Sequence, residues 1–97
     1  MNAGTASLHG KWALITGAGK RVGASIARTL HAEGAGIAVH YRSSAEEAGA
    51  LAAELNARQA NSALLVQGDL VKTDSLPGMV EELVGRCGRL DILVNNA

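Results

Sequence analysis

The chain has 97 residues, enough for one modest domain, and its nine basic and nine acidic side chains cancel to a net charge of zero. A balanced charge predicts no broad electrostatic attraction to nucleic acid or to an anionic membrane. The composition is 47 % hydrophobic with one Trp, one Tyr and no Phe, so we expect an aliphatic core. Because the net charge is zero, a binding site for an anion must be local.

The cysteine content and the first residues bear on the cellular compartment. The single cysteine, Cys87, cannot form an internal disulfide, and no Cys/His cluster has metal-ligand spacing. Residues 1–10 lack the basic start and apolar centre of a signal peptide, and no apolar run approaches the roughly 18 residues of a membrane span. We therefore expect a flexible tail over 1–10, one domain over 11–97, no metal, no membrane span and a cytoplasmic protein.

Short apolar runs alternate with segments of helical period from Lys11 onward. The runs that turn signals bound, and that we predict to be buried strands, are Trp12–Ile15, Gly36–His40, Ala63–Gln67 and Leu90–Asn95. Strict alternation predicts a parallel sheet, because parallel neighbours need a crossover and a helix usually provides it. The expected fold class is α/β: a Rossmann-type parallel sheet forming the amino-terminal βαβαβαβ part of a doubly wound fold. The apolar fourth run is expected to have neighbours on both sides, so the sequence looks cut short.

Three amphipathic helices are predicted between the strands. Their expected inner faces are, in chain order, Val22, Ile26, Ala27 and Leu30; Ala48, Leu51, Ala52 and Leu55; and Leu76, Val80, Leu83, Val84 and Cys87. Gly34 is placed to end the first helix in the left-handed conformation. Ser44 and Glu47 form a capping box that starts the second helix, and Pro77 fits only in the first turn of the third.

A glycine-rich turn follows the first predicted strand. Gly17 permits a tight turn, Gly19 adds backbone freedom and Gly23 permits close packing of the helix on the sheet. The spacing G-x-G-x-x-x-G is a weak signal alone, but the strand before it and the helix after it favour a pyrophosphate site at the helix N-terminus. A P-loop does not fit, because Leu14 and Arg21 replace its first glycine and its magnesium-binding hydroxyl. The alternative is that the glycines serve only the turn.

Two sequence blocks resemble the short-chain dehydrogenase/reductase family. They are "TGAGKRVG" at residues 16–23 and "LVNNA" at residues 93–97, and the resemblance runs from Lys11 to Ala97. Arg21 occupies the position of the family's middle glycine. In that form the turn is similar to the pteridine reductase branch, as are "LHAEGAGIAVHYRSSAEEA" and "LNARQANSA".

The end of the second strand, "HYRSS", bears on the choice of nicotinamide cofactor. Tyr41 stands where an NAD enzyme places an acid for the ribose 2′-hydroxyl. Arg42, with the hydroxyls of Ser43 and Ser44, offers a cation and donors to a 2′-phosphate. We therefore predict NADP(H). The alternative is a polar strand end with Ser44 committed to its helix cap.

The motifs and the resemblance together predict a set of cofactor-binding residues: Gly17, Gly19, Lys20, Arg21, Val22, Gly23, Tyr41, Arg42, Ser43, Asp69, Leu70, Asn96 and Ala97. Lys20 and Arg21 supply cationic donors beside the phosphates, unless they are only solvated charges. The resemblance implies that Arg21 also faces a pterin substrate.

Further roles come from the resemblance. It implies that Asp69 accepts a hydrogen bond from the adenine amino group, a role compatible with stabilising its own turn. It also implies that Asn96 and Ala97 line the adenosine ribose while Asn95 ties neighbouring strands together. The histidines show no partner spacing, and we expect structural or solvent-facing roles for His9, His31 and His40.

The family's catalytic serine and Tyr-x-x-x-Lys motif find no match in these 97 residues. The only tyrosine, Tyr41, has Ala45 four positions later, so no catalytic residue is named. The resemblance implies the cofactor-binding portion of an NADPH-dependent reductase acting on a pterin-type small molecule, with a homo-oligomeric complete protein, a dimer or a tetramer. A 3-oxoacyl carrier-protein reductase and a non-catalytic NADP(H)-binding module are the alternatives.

Overall fold

A computed structural model describes residues 8–18, 21–68 and 75–96. Strands and helices alternate through these residues as predicted. In chain order they are β1 (Trp12–Ile15), α1 (Arg21–Ala32), β2 (Gly36–Tyr41), α2 (Ala45–Arg58), β3 (Ala63–Gln67), α3 (Ser75–Cys87) and β4 (Ile92–Val94). The α/β class is confirmed. No helix in the described ranges is both long and apolar enough to cross a membrane.

The four strands form one parallel sheet in the order β3-β2-β1-β4. The register pairs Ala13 of β1 with Ile37 on one side and with Ile92 on the other. The chain therefore moves outward from β1 to β3 and then crosses back to the other side of β1. In open parallel sheets a ligand crevice lies at such a reversal, outside the carboxyl ends of the strands.

Helices cover both faces of the sheet because strand side chains alternate between the faces. On one face a buried cluster joins the strands to α1 and α2: Ala13, Ile15, Ile37, Val39, Ala24, Ala27, Ala48, Leu51 and Leu55. On the other face a second cluster joins the strands to α3: Leu14, Ala38, Val66, Met79 and Leu83. Burial on both faces explains why β1 and β2 are continuous apolar runs.

Several predicted details of the helices are confirmed. Gly34 has φ +101° just after α1, and Pro77 falls in the first turn of α3. The whole predicted inner face of α2 is buried. Cys87 is half-buried and packs against the second cluster. Burial raises the pKa of its thiol, as expected for a core residue rather than a nucleophile.

Two predictions about helices α1 and α2 are wrong. The Ser44 side chain makes no capping hydrogen bond: with φ −90° and ψ 55°, this residue lacks the extended backbone that aims a capping hydroxyl at the next turn. Val22 is 64 % exposed and so lies outside the inner face of α1. It precedes Gly23 in the first turn, at the open carboxyl end of the sheet, where no described helix covers it.

The fourth strand and helix α3 also differ from expectation. β4 covers Ile92–Val94 rather than 90–95, because Asp91 uses its carboxylate to accept the Trp12 N–H at 3.0 Å and two Arg89 nitrogens. Among the described strands β4 pairs with β1 alone, which leaves Leu93 exposed. Val84, expected on the inner face of α3, is exposed as well.

Part of the expected flexible tail is anchored. Residues 8–10 form a turn in which the Leu8 N–H donates to the Glu33 carbonyl at 2.8 Å and the Leu8 carbonyl accepts from Lys11. The Leu8 side chain packs against the first core cluster, which explains why this segment is held. The rest of the expected tail, 1–7, lies outside the described residues.

Candidate functional site

The carboxyl ends of β1 and β4 are joined by Thr16, the first residue after β1. Its N–H donates to the Val94 carbonyl at 3.0 Å, and its hydroxyl accepts the Asn96 N–H at 2.7 Å. The same hydroxyl lies 3.3 Å from both the Val94 carbonyl and Asn95 Oδ1. Thr16 thus holds Asn95 and Asn96 beside the glycine turn, and Asn95 links two strand ends as expected.

Asn96 and Gly23 converge on the carbonyl of Gly17. Asn96 Nδ2 donates to it at 3.4 Å, and a Cβ added at Gly23 would lie 2.5 Å from the same oxygen. Real Cβ atoms do not approach an oxygen so closely, so only glycine allows α1 to begin here. The structure therefore brings together three predicted site residues: Gly17 after β1, Gly23 in α1 and Asn96 after β4.

The turn itself is held by His40, the penultimate residue of β2. Its Nδ1 accepts the Gly17 N–H at 3.2 Å, and its carbonyl accepts the Ala18 N–H at 3.1 Å. Gly17 has φ +62°, a conformation that glycine adopts without steric cost. No sequence pattern indicates this role, because the partners of His40 are main-chain atoms far from it along the chain.

Helix α1 starts at Arg21, which is exposed and has φ +30°. Left-handed backbone is costly for a residue with a Cβ, and such strain concentrates at functional sites. The first turn of α1 contains no acidic residue. The partial positive charge of the helix N-terminus and the charge of the Arg21 guanidinium therefore add at the carboxyl end of the sheet.

The end of β2 carries the residues predicted to select the cofactor. Tyr41 is half-buried and packs against the first core cluster, while Arg42 and Ser43 are exposed. The backbone here is tied to the end of β3: Gly68 N–H donates to the Tyr41 carbonyl at 3.2 Å, and Gln67 Nε2 donates to the Arg42 carbonyl at 3.3 Å. A cation and a hydroxyl thus project from a backbone fixed on a neighbouring strand.

Eight of the predicted site residues are described, and all lie at the carboxyl end of the sheet or in the first turn of α1: Gly17, Arg21, Val22, Gly23, Tyr41, Arg42, Ser43 and Asn96. Val22 is exposed at this end, and its predicted cofactor contact stays a prediction. The other five predicted residues lie outside the described residues: Gly19, Lys20, Asp69, Leu70 and Ala97.

The other two histidines, His9 and His31, lie away from the carboxyl end of the sheet. His31 is buried and bonded to the Ser62 hydroxyl at 2.7 Å, and its pKa is lowered by burial and by the nearby charge of Arg58, against the opposing charge of Glu54. His9 is exposed. Within the described ranges no three His, Cys, Asp or Glu side chains come together as metal ligands.

The carboxyl end of the sheet combines features suited to a nucleotide. The hydrogen-bonded backbone of residues 16–18 lies beside the first turn of α1, which begins at Arg21. Arg42 and Ser43 follow the end of the adjacent strand β2. Backbone N–H groups at a helix N-terminus can bind a pyrophosphate, and an arginine beside a hydroxyl can bind a further phosphate. No sequence position from Tyr41 to Ser44 is acidic.

Comparison with known proteins identifies the family of this chain. The family model for short chain dehydrogenases matches residues 11–97. Pteridine reductase 1 of Leishmania tarentolae is 49 % identical over 102 residues, covering 88 % of this chain and 35 % of that protein. A 3-oxoacyl-[acyl-carrier-protein] reductase of Staphylococcus aureus is 41 % identical over 87 residues, covering 90 % of this chain and 35 % of that protein.

A third relative, an uncharacterised oxidoreductase of Methylorubrum extorquens, is 42 % identical over 90 residues, with 93 % of this chain and 36 % of that protein covered. The chain thus spans about a third of the length of the curated relatives that it matches.

Proposed function

Because the chain belongs to the short-chain dehydrogenase family, we propose that it forms the NADP(H)-binding part of an NADPH-dependent reductase. The observation that carries the proposal is the convergence of the hydrogen-bonded Gly17 backbone, the first turn of α1 with Arg21, and Asn96 at the carboxyl end of the sheet, with Arg42 at the end of β2. Gly23 supports it independently, since a Cβ there would fill the space between the turn and the helix.

In this proposal each group of residues has its own task. The glycine turn, the first turn of α1 and Arg21 hold the pyrophosphate, which NADPH and NADH share. Arg42 and Ser43 hold the 2′-phosphate, which only NADPH carries. Asn96 borders the ribose. When bound, NADPH supplies a hydride, while the protein's contribution from these residues is to bind and orient the cofactor.

The substrate is proposed to be a pterin-type small molecule. The pteridine reductase relative is 49 % identical and the 3-oxoacyl-[acyl-carrier-protein] reductase relative is 41 % identical, so a 3-oxoacyl thioester is the second candidate. We propose a cytoplasmic homo-oligomer for the complete protein. NADPH oxidation by that protein with a pterin, compared with a 3-oxoacyl thioester, decides between the two substrates.

Cofactor choice is tested by Arg42→Ala in the complete protein. The substitution removes a charge-assisted hydrogen bond to the 2′-phosphate, so NADPH affinity should fall by about 1.5–3 kcal/mol, or roughly 10- to 150-fold. NADH affinity should stay unchanged. Fluorescence titration with both cofactors measures the NADPH/NADH ratio.

Arg58→Ala is the matched control for the lost charge. Arg58 is an exposed residue at the far end of α2, so its removal should leave the ratio as in the wild type. A ratio within about twofold of the wild type for Arg42→Ala, which corresponds to near 0.4 kcal/mol, would reject the assignment of Arg42.

A further inference from the structure

His40 connects three strand ends through one buried side chain. It is 2 % exposed. Its Nδ1 lies 3.2 Å from the Gly17 nitrogen, after β1, and its Nε2 lies 2.8 Å from the Gly68 carbonyl oxygen, after β3. Its own carbonyl takes the Ala18 N–H. His40 therefore accepts the N–H groups of both Gly17 and Ala18, the first through its ring and the second through its carbonyl.

The two ring contacts determine where the imidazole proton lies. A backbone N–H can only donate, so Nδ1 must be unprotonated where it faces Gly17. A backbone carbonyl can only accept, so Nε2 must carry a proton where it faces Gly68. The neutral ring with its proton on Nε2 satisfies both contacts, whereas the other tautomer or the imidazolium would place an N–H against the Gly17 N–H.

The position of the Gly17 backbone matters beyond the histidine itself. The Gly17 carbonyl is the atom that Asn96 Nδ2 contacts and that a Cβ at Gly23 would overlap. Rotation of this peptide would therefore change how α1 and Asn96 meet the turn. His40 bonds to both peptide planes that meet at the Gly17 Cα. Its ring accepts the Gly17 N–H, and its carbonyl accepts the Ala18 N–H, which lies in the same plane as the Gly17 carbonyl. The ring therefore restrains the plane before the Gly17 Cα while the His40 carbonyl restrains the plane after it.

We propose that His40, neutral and protonated on Nε2, is the positioning residue that fixes the glycine turn for the pyrophosphate of the dinucleotide. The inference rests on the proposed function, and it adds a residue outside the predicted cofactor-binding set. His40 acts through Gly17 and Ala18 and does not itself touch the cofactor. Its loss should therefore weaken NADPH and NADH alike, unlike the loss of Arg42.

Two substitutions separate the two ends of the ring in the complete protein. His40→Asn keeps an acceptor close to the Nδ1 position and gives up the contact with Gly68. His40→Gln keeps a donor close to the Nε2 position and gives up the contact with Gly17. Each variant loses one of the two hydrogen bonds, so both should lower the melting temperature by similar amounts.

The expected cofactor affinities differ between these variants. His40→Asn should bind both cofactors within about threefold of the wild type, whereas His40→Gln should lose about 5- to 150-fold for both, as for a buried amide left without its acceptor. The NADPH/NADH ratio should not change in either. If His40 had only a structural role, the two variants would lose cofactor affinity equally, because their melting temperatures fall by similar amounts. Equal losses of cofactor affinity in the two variants would therefore overturn the proposal.

The tautomer is read directly by long-range ¹H–¹⁵N correlation spectra of the histidine-labelled protein, with the His40 signals assigned by their absence in His40→Asn. The expected pattern is that of a neutral ring protonated on Nε2 at about neutral pH, and a ring protonated on Nδ1 would overturn the proposal. Failure of the proposed function would appear differently, as a wild-type protein that binds neither nicotinamide cofactor.

Discussion

Gly23→Ala tests the close approach of α1 to the glycine turn. The new Cβ would lie 2.5 Å from the Gly17 carbonyl oxygen and 2.9 Å from the Ala18 Cα. Both are backbone atoms, and both residues are bonded to His40 through their N–H groups. The clash cannot be relieved by turning a flexible side chain, so we expect an overpacking cost of about 1–3 kcal/mol.

Gly49→Ala is the matched control, because Gly49 lies in α2 and a Cβ there would meet nothing within 4 Å. Both substitutions gain the helix propensity of alanine over glycine, about 0.8–1 kcal/mol. This gain cancels in the difference between the variants. The free energy of unfolding, from urea titration with equal m-values, should therefore be about 1–3 kcal/mol lower for Gly23→Ala than for Gly49→Ala. Equality within about 0.5 kcal/mol, the size of ordinary surface effects, would refute the reasoning.

Two further predictions concern single residues. Arg21→Gly should stabilise the fold by about 1 kcal/mol, because glycine relieves the strain of φ +30°. The same substitution should weaken the binding of NADPH and of NADH together. Unchanged affinity in a cofactor titration would contradict the phosphate role of Arg21. Burial and, second to it, the Arg58 charge lower the pKa of His31. The unfolded chain, in which this histidine has the ordinary pKa of about 6.5, therefore takes up the proton first, and stability is lost as pH falls below that value. In urea titrations across this pH range His31→Gln should lose less stability than the wild type, and an equal loss would contradict the role of His31 in the pH dependence.

Sequence patterns predicted the parts of the fold that depend on burial. β1 and β3 were predicted with the bounds that the structure has, because a strand covered on both faces is a short apolar run between turns. The inner face of α2 followed from its period for the same reason. Such patterns report which residues avoid water, and burial is decided mostly by composition and spacing.

The wrong predictions depend on geometry that burial patterns do not contain. The helical period assigns the apolar Val22 to an inner face, but this residue lies in the first turn of α1, at the carboxyl end of the sheet, and is exposed. The cap at Ser44 depends on one pair of backbone dihedrals. The role of His40 depends on main-chain partners 23 and 28 residues away, and a side chain that bonds to backbone leaves no partner residue type in the sequence.

The proposed location of the dinucleotide is the carboxyl end of the sheet. It is tested most directly by amide hydrogen exchange, followed by mass spectrometry, of the complete protein with and without NADPH. Exchange should slow in peptides covering 16–23, 40–44 and 93–97, and it should stay unchanged in those covering 59–63 at the opposite end of the sheet. Protection confined to 59–63, or no protection anywhere at saturating NADPH, would contradict this location.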